Sequence, residues 1–332
     1  MKLDFDPKKN ITSLDHFILP FKKVNKKIND LLVVRKIVKN WYTVLLFRLG
    51  LKKPRFLMQL RNGKKIEIKK SEDYFKFWES NAGQSELLKQ LKLNYKIKIL
   101  EKNKIIELKF NNKTLKFYYD SQKQLISTIG MIREQFIEQQ YEWLNVKGNN
   151  VIDIGANIGD TAIYFALNGA KHVYAFEPYP YSYEIALKNI KLNGLEDEIT
   201  LLNIGCGKKG YIKIDTNYKN FGGTDLKHFK EGEKIKIMTL SDIIKRFNLN
   251  NKSVLKVDCE GCEYDVLLKA EVQDLRKFEQ IQLEYHYGYI NLEDKLRNAG
   301  FKIIHGKPNY SFNKEAENND MFIGSIKAVK IK

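Results

Sequence analysis

The chain has 332 residues, enough for two domains, and 43% of them are hydrophobic and 12% aromatic, which excludes an intrinsically disordered protein. Its net charge is +18, and residues 1–120 hold 29 of the 58 basic residues but only 12 of the 40 acidic ones. A basic surface of this kind attracts anionic membranes, nucleic acids or acidic glycans, although a solubility role explains it equally well.

Three cysteines are too few for a disulfide framework, and the opening residues MKLDFDPKKN do not resemble a secretory leader. We therefore expect a cytoplasmic protein. The basic N-terminal third leaves open a peripheral association with an anionic membrane surface, whereas nucleic acid is the less favoured partner.

The most apolar N-terminal segment is residues 31–51. Arg35, Lys36, Lys39 and Arg48 interrupt it, so it does not qualify as a membrane-spanning helix. A basic amphipathic helix remains, which either lies on a membrane or packs on the rest of the protein.

Two β-hairpins are predicted next, in the segments FLMQLRNGKKIEI and KIIELKFNNKTLKFYYD, with a helical stretch between them. A further helix is predicted over residues 125–144. These elements predict a small α+β accessory module over residues 1–122, followed by a second domain over residues 123–332.

From residue 150 the pattern changes to strands that alternate with helices, beginning with NVIDI, HVYAFEP and ITLLNIG. Alternation of this kind predicts an α/β fold with a doubly wound, seven-stranded, mostly parallel sheet that is covered on both faces. Ligands bind such sheets beyond the carboxyl ends of the strands, so every strand end is a candidate site position.

The segment VIDIGANIGDT predicts a buried strand that ends in a glycine turn at the start of a helix. Its spacing, D-x-G-x-x-x-G, differs from the dinucleotide pattern G-x-G-x-x-G. Glu177 ends the next strand, where a carboxylate can bind both hydroxyls of a ribose. A nucleoside without a diphosphate fits best, and S-adenosylmethionine is such a nucleoside. The alternative is that Gly155 and Gly159 only permit a tight turn.

Three segments, VIDIGANIGDT, VYAFEP and LKVDCEGCEYDVL, together resemble the FkbM family of S-adenosylmethionine-dependent methyltransferases over roughly residues 125–325. The resemblance implies a class I methyltransferase (Rossmann-like) fold and, as the usual reaction, methyl transfer to an oxygen. The candidate cofactor-binding residues, including a loop that the resemblance puts near the adenine, are Asp153, Gly155, Ala156, Asn157, Gly159, Glu177, Gly205 and Cys206.

Candidate catalytic residues lie at the ends of two later strands. Asp258 and Glu260 are two residues apart, as are Glu284 and His286, so each pair points the same way on an extended chain. His286 has the ordinary pKa of a general base near neutral pH, with Glu260 as the alternative base, while Asp258 would orient the acceptor or bind the cofactor's amino group. His286 could equally be a hydrogen-bonded structural residue.

Several nearby residues allow a non-catalytic interpretation. Glu263 and Asp265 are expected to favour the dipole of the following helix. Cys259 and Cys262 are expected to be small packing residues, since one further cysteine cannot complete a zinc site. Oxygen and imidazole ligands would suit Mg²⁺, but the sequence supports a metal only weakly, and none is assigned.

The sequence therefore predicts an S-adenosylmethionine-dependent methyltransferase that acts on a hydroxyl of a saccharide, glycoconjugate or related small molecule. The acceptor class follows from the family resemblance and not from identified residues. A nucleic-acid methyltransferase and a non-catalytic scaffold that retains the fold are the alternatives.

Overall fold

The computed structural model describes residues 3–16, 19, 34–79, 97–219, 229–312 and 318–331. The chain forms two compact units, one of residues 16–98 and one of residues 1–15 together with 99–332. This division differs from the predicted boundary at residue 122, because the second hairpin and the first residues of the chain pack into the larger unit.

The smaller unit contains the first predicted hairpin. Its elements are α1 (Trp41–Arg48), β1 (Phe56–Gln59), β2 (Lys65–Ile68) and α2 (Ser71–Glu79). Strands β1 and β2 pair in antiparallel fashion and pack on a core of aromatic and aliphatic side chains. Part of the predicted helix between the two hairpins lies outside the described residues.

The amphipathic helix predicted over residues 31–51 is interrupted. Residues 31–33 lie outside the described residues, and Val38 forms an isolated bridge with Leu60. The side chain of Asn40 donates to the carbonyl of Leu57 and accepts from the amide of Gln59. The segment just before α1 is therefore hydrogen-bonded to β1 of the hairpin and is not helical. Within the described part of the chain, no helix is long and apolar enough to cross a bilayer.

The second hairpin belongs to the larger unit. Strands β3 (Lys98–Leu100), β4 (Ile105–Phe110) and β5 (Lys113–Tyr118) form a three-stranded sheet. Asn111 and Asn112 have φ angles of 45° and 62°, as a type I′ turn requires. The amides of Tyr118 and Lys116 donate to side chains of Asn189 and Asn193, which fixes the hairpin to the sheet domain.

Helix α3 (Gln122–Ile132) follows, and the side chain of Ser121 caps its first turn. It is shorter than the predicted helix over residues 125–144, because it widens into a π-helical turn, Arg133–Ile137, and then ends. Such turns are frequent at functional sites, and this one faces the carboxyl ends of the central strands.

The strands of the central sheet are β6 (Asn150–Ile154), β7 (His172–Phe176), β8 (Ile199–Leu202), β12 (Ser253–Val257), β13 (Phe278–Tyr285), β14 (Phe301–His305), β15 (Asn309–Phe312) and β16 (Asp320–Lys330). Their order is β14–β16–β13–β12–β6–β7–β8, and β15 pairs with β16 beside them. Only the pairings of β16 are antiparallel. The predicted doubly wound, mostly parallel sheet of the class I methyltransferases is confirmed.

Helices cover both faces of this sheet. They are α4 (Asp160–Leu167), α5 (Pro180–Leu192), α6 (Leu240–Arg246), α7 (Glu263–Leu268), α8 (Val272–Leu275) and α9 (Ile290–Asn298). The three strands that follow β8 in the chain, β9 (Gly205–Cys206), β10 (Gly210–Ile214) and β11 (Glu233–Met238), form a separate smaller sheet. The strand order reverses between β6 and β12, and a parallel sheet opens a ligand crevice at such a point.

The first residues of the chain pack on the segment that follows β13. The side chain of Asn10 donates to the carbonyl of Tyr287 and to Oδ1 of Asn291, and it accepts from the amide of Asn291. The hydroxyl of Tyr289 donates to Asp15. Residues 3–15 are therefore an integral part of the larger unit.

Candidate active site

The turn after β6 is built around Gly155. This residue has a φ of 83°, and a Cβ at this position would lie 1.7 Å from the carbonyl oxygen of Asp258. The amides of Gly155 and Ala156 both donate to the carbonyl of Phe176, the last residue of β7. The turn therefore approaches its neighbours more closely than any side chain would allow, which explains the glycine.

Asp153 stabilises this turn through Lys256, and it does not line the cavity described below. It is fully buried, and its carboxylate lies 3.0 Å from Nζ of Lys256 and accepts from the hydroxyl of Thr161 at 2.5 Å. Nζ of Lys256 also donates to the carbonyl of Gly155 at 2.7 Å. In the structure Asp153 is therefore part of a buried ion pair with Lys256, and its predicted role in cofactor binding stays a prediction.

Glu177 lies directly after β7, with 4% of its surface exposed. One carboxylate oxygen accepts from the amide of Asn157 at 2.8 Å and the other from the amide of Tyr179 at 2.9 Å. Burial raises the pKa of Glu177 to about 7, against the opposing effect of these two hydrogen bonds. The backbone thus fixes the orientation of this carboxylate, and each oxygen keeps a further acceptor position.

A cavity of ≈ 690 Å³ opens at the reversal point of the sheet, within the range of small-molecule sites. Five of the predicted cofactor-binding residues line it, namely Gly155, Asn157, Glu177, Gly205 and Cys206. Asp153, Ala156 and Gly159 do not. A Cβ on Gly159 would lie 3.2 Å from Cβ of Ala186, so this glycine permits α4 to pack on α5.

Asp258, Glu260 and Glu284 line the same cavity. The register pairs β12 with β13 in parallel, so the two predicted carboxylate-bearing strand ends are neighbours. The hydroxyl of Tyr141 donates to Asp258 at 3.2 Å. Burial, together with the charge of Asp258, raises the pKa of Glu284 to about 8. Glu284 can therefore hold or accept a proton near neutral pH.

His286 does not line the cavity, and the prediction that it is the general base is corrected. Its Nδ1 lies 2.9 Å from Glu263 and its Nε2 lies 3.1 Å from Glu260. Burial alone would lower the pKa of His286, but the charges of Glu263 and Glu260 raise it well above its ordinary value. The two glutamates thus favour the charged ring and occupy both of its nitrogens, so neither nitrogen is placed to take a proton from a substrate in the cavity.

Glu263 does more than favour a helix dipole. It is fully buried, and its carboxylate accepts from the amides of Gly261 and His286 as well as from the ring of His286. It ties the loop after β12 to the end of β13. Glu260, with a φ of 57°, turns back from this loop to reach the other side of the ring.

The groups closest to a metal site are Asp258, Glu284 and His286, which bring one potential ligand atom each within 4.8 Å of one another. They do not fit a magnesium ion, because both ring nitrogens of His286 are bonded to glutamates and its pKa is raised. Mg²⁺ also prefers oxygen ligands. The arrangement of these residues therefore gives no support to a metal.

Cys259 and Cys262 form a disulfide across the loop after β12, and Cys206 is a buried free cysteine. The interpretation of Cys259 and Cys262 as separate packing residues is therefore corrected. The spacing C-x-x-C brings the two sulfur atoms together because the loop turns sharply at Glu260 and Gly261. Both cysteines line the cavity.

Sequence reasoning missed the side of the cavity that comes from the segment before β6. Glu134 and Gln135 of the π-helical turn line it, as does Asp160 at the start of α4. Burial raises the pKa of Asp160 to about 7. Asp160 follows Gly159 directly, and its position next to the glycine turn is the sequence feature that could have identified it as a site residue. Residues 216–229, which are rich in glycine and aromatic residues and would suit a loop over the substrate, lie mostly outside the described residues.

The comparisons with known proteins agree with this geometry. Residues 153–303 match the profile of the methyltransferase FkbM domain. Over these residues the chain is similar to the methyltransferase FkbM domain. The match begins at Asp153 and includes the ends of β6, β7, β12 and β13, so the resemblance inferred from the sequence motifs is confirmed.

Relatives of this chain include methyltransferase sdnD of Sordaria araneosa, which is 24% identical over 170 residues, or 41% of this chain and 66% of the relative. A ribosomal protein L11 methyltransferase of Carboxydothermus hydrogenoformans is 42% identical over 55 residues, or 17% of this chain and 18% of the relative. The chain thus spans less than two thirds of the length of either relative. Among solved structures, the METTL16 MTase domain aligns with a TM-score of 0.40 and 13% identity over 83% of this chain and 86% of that one.

Proposed function

We propose that this protein transfers the methyl group of S-adenosylmethionine to a hydroxyl oxygen of a saccharide, glycoconjugate or related small molecule. The observation that carries the proposal is the buried carboxylate of Glu177, which two backbone amides orient at the wall of the cavity. A carboxylate at this strand end, beside the glycine turn, is suited to the two hydroxyls of a ribose.

The cavity walls fit the rest of the cofactor. One part is apolar, with Tyr179, Ile204, Ile212 and Ile237 beside the backbone of Gly205, which suits a purine ring. The lining also includes several carboxylates, which suit the ammonium and sulfonium groups of the cofactor and the hydrogen-bond donors of an acceptor.

S-adenosylmethionine would supply a methyl group already activated by a sulfonium leaving group. The residues of the protein would align the acceptor and receive its proton as the oxygen–methyl bond forms and the methyl–sulfur bond breaks. Asp258 and Glu284 are the carboxylates without a cationic partner at the ends of the two adjacent strands, so we assign acceptor alignment and proton acceptance to this pair. His286 would keep Glu260 in position.

Calorimetric titration of S-adenosylmethionine into the wild type, Glu177→Gln and Glu184→Gln tests the cofactor assignment. Glu184 is an exposed residue on α5, so its variant is the matched control. We expect clear binding that weakens about 10- to 100-fold in Glu177→Gln alone, since a hydrogen bond to a charged group contributes about 1.5–3 kcal/mol. Absence of binding to the wild type would overturn the methyltransferase proposal.

Transfer of radiolabelled methyl groups to a panel of saccharides, glycolipids and RNA then tests the acceptor. Labelling of RNA alone would favour the nucleic-acid alternative. Binding of cofactor without labelling of any acceptor class would favour a scaffold that retains the fold.

We further propose that the basic residues among residues 1–120 bring the protein to an anionic membrane surface. The excess of lysine and arginine in this region supports the proposal. Cosedimentation with phosphatidylserine vesicles that is lost at high salt would agree with it. Equal sedimentation with neutral vesicles would contradict it.

A further inference from the structure

Helix α1 of the smaller unit exposes apolar side chains on the face that is turned away from the core. Its inner face packs on the core through Val44, with Trp41 and Leu45 beside it. Tyr42 and Leu46 lie four residues apart on the outer face, and they are 59% and 41% exposed. A helix that is apolar on both faces is normally buried, so the exposure of this face indicates a partner.

The exposed face continues past the end of α1. Gly50 has a φ of 78°, and its amide donates to the carbonyl of Phe47. The amide of Leu51 donates to the carbonyl of Leu46 at 2.8 Å. These two bonds form the Schellman ending of a helix, in which the residue after the glycine commonly contacts the last turn. Leu51 is 73% exposed, and we call Tyr42, Leu46 and Leu51 together the α1 stripe.

The smaller unit also carries most of the net charge of the protein. Residues 16–98 hold 21 of the 58 basic residues and 6 of the 40 acidic ones, a balance of +15 within the total of +18. Lysines adjoin the α1 stripe at both ends, with Lys39 just before α1 and Lys52 and Lys53 just after Leu51, and all three are exposed. A partner of the stripe is therefore expected to be anionic.

Exposed leucines beside lysines fit a lipid surface better than a nucleic acid. Proteins bind single-stranded nucleic acid through basic grooves and stacked aromatic rings, and a leucine side chain supplies neither. A helix in a bilayer interface instead buries leucine and aromatic side chains at the boundary of the acyl chains, while its lysines extend to the phosphates. We propose that the α1 stripe inserts into the interface of an anionic phospholipid bilayer.

This proposal rests on the membrane association proposed above, and it names the surface that makes the contact. Association through charge alone needs only the basic residues and is weakened by salt. Insertion of the α1 stripe adds the burial of apolar side chains, which salt does not screen. The two modes of binding therefore differ in the residues that they require.

The first test is cosedimentation of the full chain with vesicles of phosphatidylcholine that contain about 30% phosphatidylserine. The double variant Leu46→Ser/Leu51→Ser is compared with Leu187→Ser/Tyr211→Ser, a matched control at exposed positions of the larger unit. We expect the α1 variant to bind about 10-fold or more weakly than the wild type, because it loses the burial of two leucines. The control should bind like the wild type. Equal binding of the α1 variant and the wild type would overturn the proposal.

The second test locates the insertion without removing an apolar side chain from the core. An environment-sensitive fluorophore is attached to Leu51→Cys and, for reference, to Glu196→Cys, which is an exposed position of the larger unit. Cys206 is buried and Cys259 is joined to Cys262, so the label goes to the new thiol. Lipids that carry a nitroxide on the acyl chain should quench the label at position 51 only. Quenching at neither position, or equally at both, would overturn the proposal.

Other occupants of the α1 stripe give different results. Self-association of the wild type without vesicles that is lost in Leu46→Ser/Leu51→Ser would show that the stripe binds a second copy of the chain. Binding to single-stranded RNA that weakens in this variant as much as vesicle binding does would show that the stripe serves a nucleic acid. Either result would overturn insertion into a bilayer.

Failure of this proposal is distinguishable from failure of the two above. The vesicle assays contain no cofactor, so absence of S-adenosylmethionine binding would overturn methyl transfer and leave the vesicle comparison valid. Salt-sensitive binding to anionic vesicles that is equal in the wild type and in Leu46→Ser/Leu51→Ser would support association through charge and overturn insertion of the α1 stripe.

Discussion

Nδ1 of His286 lies 2.9 Å from Oε1 of Glu263, and neither side chain has more than 2% of its surface exposed. Glu260 closes the other side of the ring at 3.1 Å. The histidine that sequence spacing suggested as a base is instead the cation of a buried, hydrogen-bonded cluster. Its removal should therefore affect the stability of the protein first.

We expect His286→Gln to lower the free energy of unfolding by about 3–5 kcal/mol, because it leaves Glu263 as an uncompensated buried charge. Urea denaturation followed by circular dichroism measures this loss. His172→Gln is the control, since His172 is half-buried and forms a hydrogen bond with Thr200, a neutral partner, and it should cost about 1 kcal/mol. A change below that of the control would contradict the structural role of His286.

The same cluster predicts a pH dependence. The pKa of His286 is raised in the folded protein, because the charges of Glu263 and Glu260 outweigh burial. Its contribution to stability is therefore complete below the unfolded pKa of about 6.5 and is lost as the pH rises through the folded value. The difference in unfolding free energy between wild type and His286→Gln should shrink above neutral pH. A difference that grows with pH would show that the ring is neutral in the folded state.

Two effects of a side chain in the glycine turn on stability can be measured separately: the steric clash with the segment after β12 and the strain of a positive φ angle. Gly155 and Gly194 both have positive φ angles, but a Cβ on Gly155 meets the carbonyl of Asp258 whereas one on Gly194 meets nothing within 4 Å. We expect Gly194→Ala to cost about 1–2 kcal/mol and Gly155→Ala about 1–3 kcal/mol more. Thermal unfolding compares them, and equal costs would show that the turn can move away from Asp258.

The packing of the first residues on the sheet domain is testable at Asn10. Asn10→Ala removes three side-chain hydrogen bonds to the segment of Tyr287 and Asn291, and we expect it to lower unfolding free energy by about 1–3 kcal/mol. Asn251→Ala is the control, because Asn251 is exposed and engages Lys330 through its backbone oxygen. Equal stability of both variants would mean that residues 3–15 contribute little to the domain.

The cysteine pairing predicts a thiol count. Protein purified without reductant and denatured should show one reactive thiol per chain, that of Cys206, because Cys259 and Cys262 are joined. Reduction should raise the count to three. Titration with Ellman's reagent measures both values, and three thiols before reduction would contradict the disulfide.

The sequence by itself determined the features that depend on neighbouring residues. The asparagine–glycine and asparagine–asparagine turns predicted both hairpins, and alternating strands and helices predicted the doubly wound sheet. The position of Glu177 at the end of the second sheet strand followed from strand length alone. These predictions held because turn conformation and hydrophobic periodicity are set within a few residues of chain.

Only the tertiary structure decided which carboxylates face the cavity. Asp153 turns inward because Lys256 from the neighbouring strand neutralises it, and His286 is enclosed because Glu260 and Glu263 converge on it from another segment. The cavity is also lined by Glu134, which belongs to a π-helical turn that no periodicity predicted. The pKa and orientation of a charged group depend on partners that are distant in sequence, and the packing of the folded chain brings those partners together.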